Sequence, residues 1–312
     1  MPKRLITVFL SMILLITVLA GCAGKQDDGT ASNVPTAEGS TFYGTVLESG
    51  DSSLLVEPEI GSSARSSSDK ISVSVNGTLL KGFSKGSELN AGEKVKITFE
   101  GSIAESYPAQ ILHCKEISLI KAKYTLDDFW DVFQQYTEGK TQGNLSAEDK
   151  KENYVDFTPG AVFEETGGQI FKDSQWCSSY FLYEDKLYSL GEWFGGLGVV
   201  DVKTCDFDGN GKKDLLFTYS WGSGIHRALI GHLDLTTMEQ SVVYNSQGED
   251  DEVYQASSDL VLEKKSDDSF NVYIAEFINQ NNNVDFTKMH FNKGKHCGGI
   301  ICENAKAIWK AE

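Results

Sequence analysis

Three aspartates and one asparagine stand at alternating positions in the segment running Asp206, Phe207, Asp208, Gly209, Asn210, Gly211, Lys212, Lys213, Asp214. Counted from Asp206, side-chain oxygens fall at positions 1, 3, 5 and 9, and Lys212 at position 7 can offer its backbone carbonyl. Gly209 and Gly211 allow the bends that turn these oxygens inward. A flexible loop of hard oxygen donors suits Ca²⁺ better than Mg²⁺, which demands a tighter octahedron. Position 12 is Phe217, so the bidentate glutamate of an EF-hand is missing, and the apolar run Leu215 to Ser220 follows. That pattern predicts strand, loop, strand. A structural site is expected, because the motif supplies no neighbouring acid or base for catalysis. The same residues also suit a second reading, an Asx-rich turn held by side-chain to backbone hydrogen bonds.

The spacing of Asp206, Asp208, Asn210, Gly211, Asp214 and Leu215 resembles the calcium loops of FG-GAP and VCBS-type repeats, including those of integrin α-chain propellers. The resemblance covers about 40 residues and implies Ca²⁺ held by Asp206, Asp208, Asn210, Asp214 and the carbonyl of Lys212. Those families normally repeat the loop. No repeat of propeller-blade length occurs in this chain, which argues against a complete propeller.

The N-terminus carries a different kind of chemistry. Lys3 and Arg4 precede an uncharged apolar run from Leu5 to Ala20, too short for a comfortable transmembrane helix. Leu19, Ala20, Gly21 and Cys22 follow and resemble the lipobox of bacterial lipoproteins. The resemblance implies that residues 1–21 are a removable signal peptide, that diacylglycerol is attached to Cys22, and that the mature chain sits on the extracytoplasmic face of the cell membrane. Paired acyl chains make a stable anchor, whereas a single chain binds only marginally. Residues 22–40 are Gly, Ser, Thr and Ala-rich without hydrophobic periodicity, the composition of a flexible tether.

Charge narrows the partners. The chain has 45 acidic and 28 basic residues, net −17, and loses two positive charges with residues 1–21, so the mature value is −19 (26 minus 45). Such an excess disfavours nucleic acid, whose phosphates are bound by clustered Lys and Arg. Residues 122–312 hold 32 acids and 17 bases, or −15 of that total. Hydrophobic residues at 40% are enough for packed cores, which excludes a disordered acidic tail.

Period-two alternation marks the segment 41–121: Ile71, Val73 and Val75 alternate with polar residues, as do Val95, Ile97 and Phe99. Gly44 to Val46, Leu54 to Pro58, Gly92 to Ile97 and Gly101 to Ile111 resemble, in order, a small domain of unknown activity from secreted proteins of Gram-positive bacteria. The resemblance implies a small OB-like barrel. Thr125 to Tyr136 predicts a helix, with Thr125 and Asp128 as a capping pair and Leu126, Phe129, Trp130 and Phe133 on one face. It can pack on its own domain or dock a partner, and the first is favoured. From Ser178 onward strand patterns dominate. The expected fold is mainly β: an OB-like barrel at 41–121, then a larger antiparallel β domain at 122–312, sandwich or propeller-like meander, with one N-terminal helix.

Signals for catalysis are weak. Ser223 lies in too short a glycine context for a nucleophile elbow, and His226 and His232 are isolated on predicted strands. Trp176, Tyr180, Tyr183, Tyr188, Trp193, Phe194, Tyr219 and Trp221 read as core rather than as a sugar-stacking platform. Cys114, Cys177, Cys205, Cys297 and Cys302 permit disulfides outside the cytoplasm, with Cys177–Cys205 and Cys297–Cys302 as candidate pairs. The function expected is therefore a membrane-anchored, calcium-stabilised binding module for a protein, peptide or glycan, more a binder than an enzyme. The alternatives are an envelope hydrolase of unlocated site and a spacer in a membrane-associated assembly.

Overall fold

The computed structural model describes residues 39–60, 62–84, 89–137, 150–191, 195–222, 224, 226–245, 254–256, 258–277, 291–303 and 306–311. The segments expected as signal peptide and tether, up to residue 38 and including Cys22, lie outside the described residues, as do Trp193, Phe194 and Ser223. The described chain is mainly β, in several largely antiparallel sheets with few helices.

Seven strands build the first sheet: β1 (Ser40–Ser49), β2 (Ser53–Pro58), β3 (Ile71–Ser74), β4 (Leu79–Lys81), β5 (Lys94–Phe99), β6 (Ala109–Ile111) and β7 (Cys114–Ile120), ordered β4-β7-β5-β1-β2-β3-β6. The alternation seen in the sequence puts Val56, Ile71, Val73, Val95, Ile97 and Ile117 into one core, each fully buried. Gly44 is required where β1 crosses β2, because a Cβ there would stand 2.5 Å from Val56 Cγ1. The expected barrel is not closed: β4 and β6 are the two edges of the sheet and do not pair. The crossover between β3 and β4 occupies that corner, with Thr78 Oγ1 3.1 Å from the carbonyls of both Ser74 and Cys114.

A short helix α1 (Ser63–Ser67) separates β2 from β3, and the predicted amphipathic helix appears as α2 (Leu126–Thr137). Its capping pair forms as expected: Thr125 N–H donates to Asp128 Oδ2 at 2.8 Å and Asp128 N–H to Thr125 Oγ1 at 3.1 Å. The second sheet is β8 (Tyr154–Asp156), β9 (Gln169–Asp173), β10 (Ser179–Tyr183) and β11 (Lys186–Ser189), with α3 (Gly160–Thr166) between β8 and β9. The third is β12 (Gly198–Cys205), β13 (Asp214–Trp221), β14 (Arg227–Leu233) and β15 (Gln240–Val242). After β16 (Tyr244–Asn245), β17 (Tyr254–Ala256) adds to the third sheet on β14. The fourth runs β16-β21-β20-β19-β18, from β18 (Leu260–Ser266), β19 (Ser269–Phe277), β20 (Phe291–Glu303) and β21 (Lys306–Ala311).

These sheets stack in layers. Leu215, Phe217 and Tyr219 of β13 pack toward Ile170 and Phe181 of the second sheet, while Leu216 packs toward Leu262, Val272 and Ile300 of the fourth. The third sheet is thus the middle layer, covered on both faces, which is why β13 shows no solvent-exposed face. On the outside of the second sheet, α2 lays Phe129 on Phe171, ring centroids 4.4 Å apart. The apolar stripe of α2 is consumed within the chain, as the packing reading expected. Tyr180 and Tyr219 are buried and Trp176 is exposed.

Helix α3 joins this stack to the first sheet. Tyr43 Oη donates to Glu164 Oε2 at 2.6 Å, Lys96 Nζ pairs with the same oxygen at 2.7 Å, and Glu59 accepts the N–H of Gly160 at the start of the helix.

Candidate functional site

Asp206 to Asp214 forms the connection between β12 and β13, closed by the register pair Cys205–Asp214. Two buried strands fix its ends, and Phe207 anchors its interior by stacking on His232 of β14, centroids 3.5 Å apart. Gly209 and Gly211 take φ of 71° and 82°, the left-handed values the sequence pattern required. Residues 208 to 212 are exposed, so the loop projects into solvent from a rigid base.

Most of its side-chain oxygens face backbone donors. Asp206 Oδ2 accepts from Gly211 N–H at 3.0 Å. Asp208 accepts from the backbone and side-chain nitrogens of Asn210 at 3.1 and 2.7 Å, and Asn210 Oδ1 accepts from Lys212 N–H at 2.6 Å. Asp214, buried, receives Phe207 N–H at 3.2 Å and Leu235 N–H at 2.9 Å. The Asx-turn bonding of the second sequence reading is therefore present. One oxygen is left over: Asp206 Oδ1 is buried and has no hydrogen-bond partner among the described residues.

The loop's own lysines turn away from it. Lys212 Nζ reaches the carbonyl of Leu235, and Lys213 Nζ pairs with Asp267 at 2.6 Å. Together with Lys264, Lys213 holds the Asp267 carboxyl below the usual carboxylate range. Among the described residues, Asp206, Asp208 and Asp214 have no Lys or Arg partner within 4.0 Å, while His232 Nε2 lies 4.0 Å from Asp214 Oδ2. Nor do any three His, Cys, Asp or Glu side chains converge as a metal-holding group among the described residues.

Outside the loop, Lys172 on β9 is fully buried, donates to the carbonyl of Val199 at 2.7 Å, and is pushed down to about 8 by burial. His226 Nε2 lies 3.1 Å from Asp259 Oδ1 at the far end of the third sheet. Neither arrangement has a local sequence signal, since the partners lie 27 and 33 residues apart. The candidate cysteine pairs do not form, and all five described cysteines are thiols. Cys177 packs at the Gly198 end of β12 and Cys205 ends that strand, seven residues or about 23 Å away. Cys297 and Cys302 lie on one continuous strand, β20, rather than across a loop, about 16 Å apart. A disulfide spans only about 4.4–6.8 Å between Cα atoms.

The first sheet coincides with a stretch that can be assigned. Residues 43–121 match the family model DUF3221, described as a protein of unknown function. The DUF3221 unit ends where β7 gives way to the segment leading into α2. No curated protein and no solved structure matches the chain.

Proposed function

We propose that the chain is a membrane-anchored extracytoplasmic binding module in which the Asp206–Asp214 loop takes Ca²⁺ as a structural ion. The observation that carries this reading is Asp206 Oδ1, a buried carboxylate oxygen without a donor, on a loop whose carboxylates have no lysine or arginine partner among the described residues. A buried unpaired charge is costly, and a bound cation removes that cost. The donors are hard oxygens, and a carboxylate oxygen that accepts one N–H keeps a lone pair for a metal. Asp206, Asp208, Asn210, Asp214 and the Lys212 carbonyl would hold the ion, which would supply charge neutralisation and a fixed loop shape. The DUF3221 unit, held to the stack through α3, would stand on the membrane side because the lipid-bearing Cys22 precedes it.

Thermal melting of the soluble chain with and without millimolar Ca²⁺ tests the metal, since a ligand bound only by the folded state raises the melting temperature. An unchanged melting point would overturn it. Membrane fractionation of Cys22→Ser tests the anchor: release into the soluble fraction is expected, and retention would refute lipidation.

A further inference from the structure

We propose that Cys205 and Cys302 are the cysteine pair of this protein, poised to form a disulfide that clamps the start of the acidic loop to the fourth sheet. Both side chains are buried in one core cluster between the third and fourth sheets. Cys205 is the last residue of β12 and directly precedes Asp206, while Cys302 lies near the end of β20. The two backbones dock on the same tight turn between β18 and β19. Asp206 N–H donates to the carbonyl of Asp267 at 3.2 Å, and Cys302 N–H donates to the carbonyl of the next residue, Asp268, at 2.8 Å. Consecutive carbonyls of one turn thus hold the two cysteine-bearing backbones beside the same core cluster, although the cysteines are 97 residues apart in sequence (302 minus 205).

The other three described cysteines are placed elsewhere: Cys114 in the DUF3221 core, Cys177 in the β9–β10 turn, and Cys297 beside the carbonyl of Val272 at 3.4 Å.

Both thiols are buried, so an external disulfide reaches them slowly in the folded protein. The bond would therefore form while the chain folds. Its oxidant is a small-molecule or protein disulfide. One cysteine thiolate attacks it to give a mixed disulfide and release one thiol. The second cysteine then displaces the other thiol, so two protons and two electrons leave the pair and one external disulfide is reduced to two thiols. The closed loop is long, and such cross-links restrict the unfolded chain most.

The test is oxidative refolding of the full chain carrying Cys22→Ser, from denaturant in a glutathione redox buffer, followed by alkylation and peptide mapping. A single cross-linked peptide joining Cys205 to Cys302 is expected, with Cys114, Cys177 and Cys297 alkylated on unfolding. The oxidised protein should melt roughly 10 °C above its reduced form. Folded reduced protein should resist both alkylation and oxidation at these two sites. Five alkylatable thiols after oxidative refolding, or a cross-link to any other cysteine, would overturn the assignment. Because mapping uses the chain with all five cysteines intact, the result does not depend on a variant that fails to fold. Nor does it depend on Ca²⁺ binding, which can succeed or fail independently.

Discussion

Lys203 Nζ lies 2.6 Å from Asp201 Oδ1, two residues earlier on the same face of β12, and 3.0 Å from the carbonyl of Ile60 in the DUF3221 unit. Asp201 in turn accepts N–H bonds from Val202 at 2.9 Å and, with its other oxygen, from Leu262 of the fourth sheet at 2.8 Å. One ion pair therefore ties three parts of the chain together in a buried setting. Burial raises the Asp201 carboxyl and Lys203 opposes that rise. Lys203→Met strands the carboxylate and should cost about 3–5 kcal/mol at neutral pH in urea unfolding. The loss should shrink as pH falls and Asp201 takes up a proton. Adding Asp201→Asn should recover part of the stability. Equal losses at acid and neutral pH would rule this account out.

Glu59 makes a second prediction about pH. Its carboxyl accepts the first N–H of α3, and burial raises it above the ordinary 4.5 despite opposing effects from that hydrogen bond, Lys203 and Lys94. The folded state then binds the proton more tightly than the unfolded chain. Its contribution is fully present below the unfolded value and is lost as pH rises through the folded one. Glu59→Gln keeps an oxygen acceptor and removes the titration. As pH rises above 4.5, the midpoint of urea unfolding should fall more steeply in the parent protein than in the variant. Parallel curves would contradict the buried charge.

Two glycines with similar backbone angles should respond very differently to alanine. Gly198 has φ of 60° and a Cβ there would stand 1.8 Å from the Cys177 carbonyl oxygen, backbone against backbone. Gly209 has φ of 71° and open space around it. Gly209→Ala should cost about 1–2 kcal/mol from the left-handed backbone alone. Gly198→Ala should cost at least about 4 kcal/mol or prevent folding, and thermal melting distinguishes the two.

Calcium, if it binds as proposed, should act through the loop side chains. At a concentration about 100-fold above its dissociation constant it would add roughly 2.7 kcal/mol. Asp208→Ala removes an exposed carboxylate that, among the described residues, accepts hydrogen bonds from Asn210 alone, so the metal-free protein should keep its melting temperature within a few degrees. The calcium-dependent rise should disappear. A variant that still responds fully would show that the ion binds elsewhere.

How much of this was legible beforehand depends on range. The helix α2, with its Thr125–Asp128 cap, follows from local pattern, and so do the period-two strands of the DUF3221 unit and the turn at Asp267 and Asp268. Helix α3 was missed because it is only seven residues long and lacks a side-chain cap. Strand β20 has no clear local signal because Gly294, Gly298 and Gly299 interrupt its pattern, yet its pairing with β19 and β21 holds it extended. Of the two candidate cysteine pairs, Cys297–Cys302 is separated along one extended strand, and Cys177 and Cys205 lie at opposite ends of β12.

The order of residues by itself determined the mainly β character, the calcium-type spacing and the surplus of negative charge, because each depends on near neighbours or on composition. Tertiary structure alone decided that the DUF3221 sheet stays open, that the third sheet is a middle layer, and that Asp206 Oδ1 is buried without a donor among the described residues. It also decided which thiols share a core. Those outcomes hinge on which faces meet across tens of residues, and hydrophobic pattern states that a face must be covered without naming what covers it.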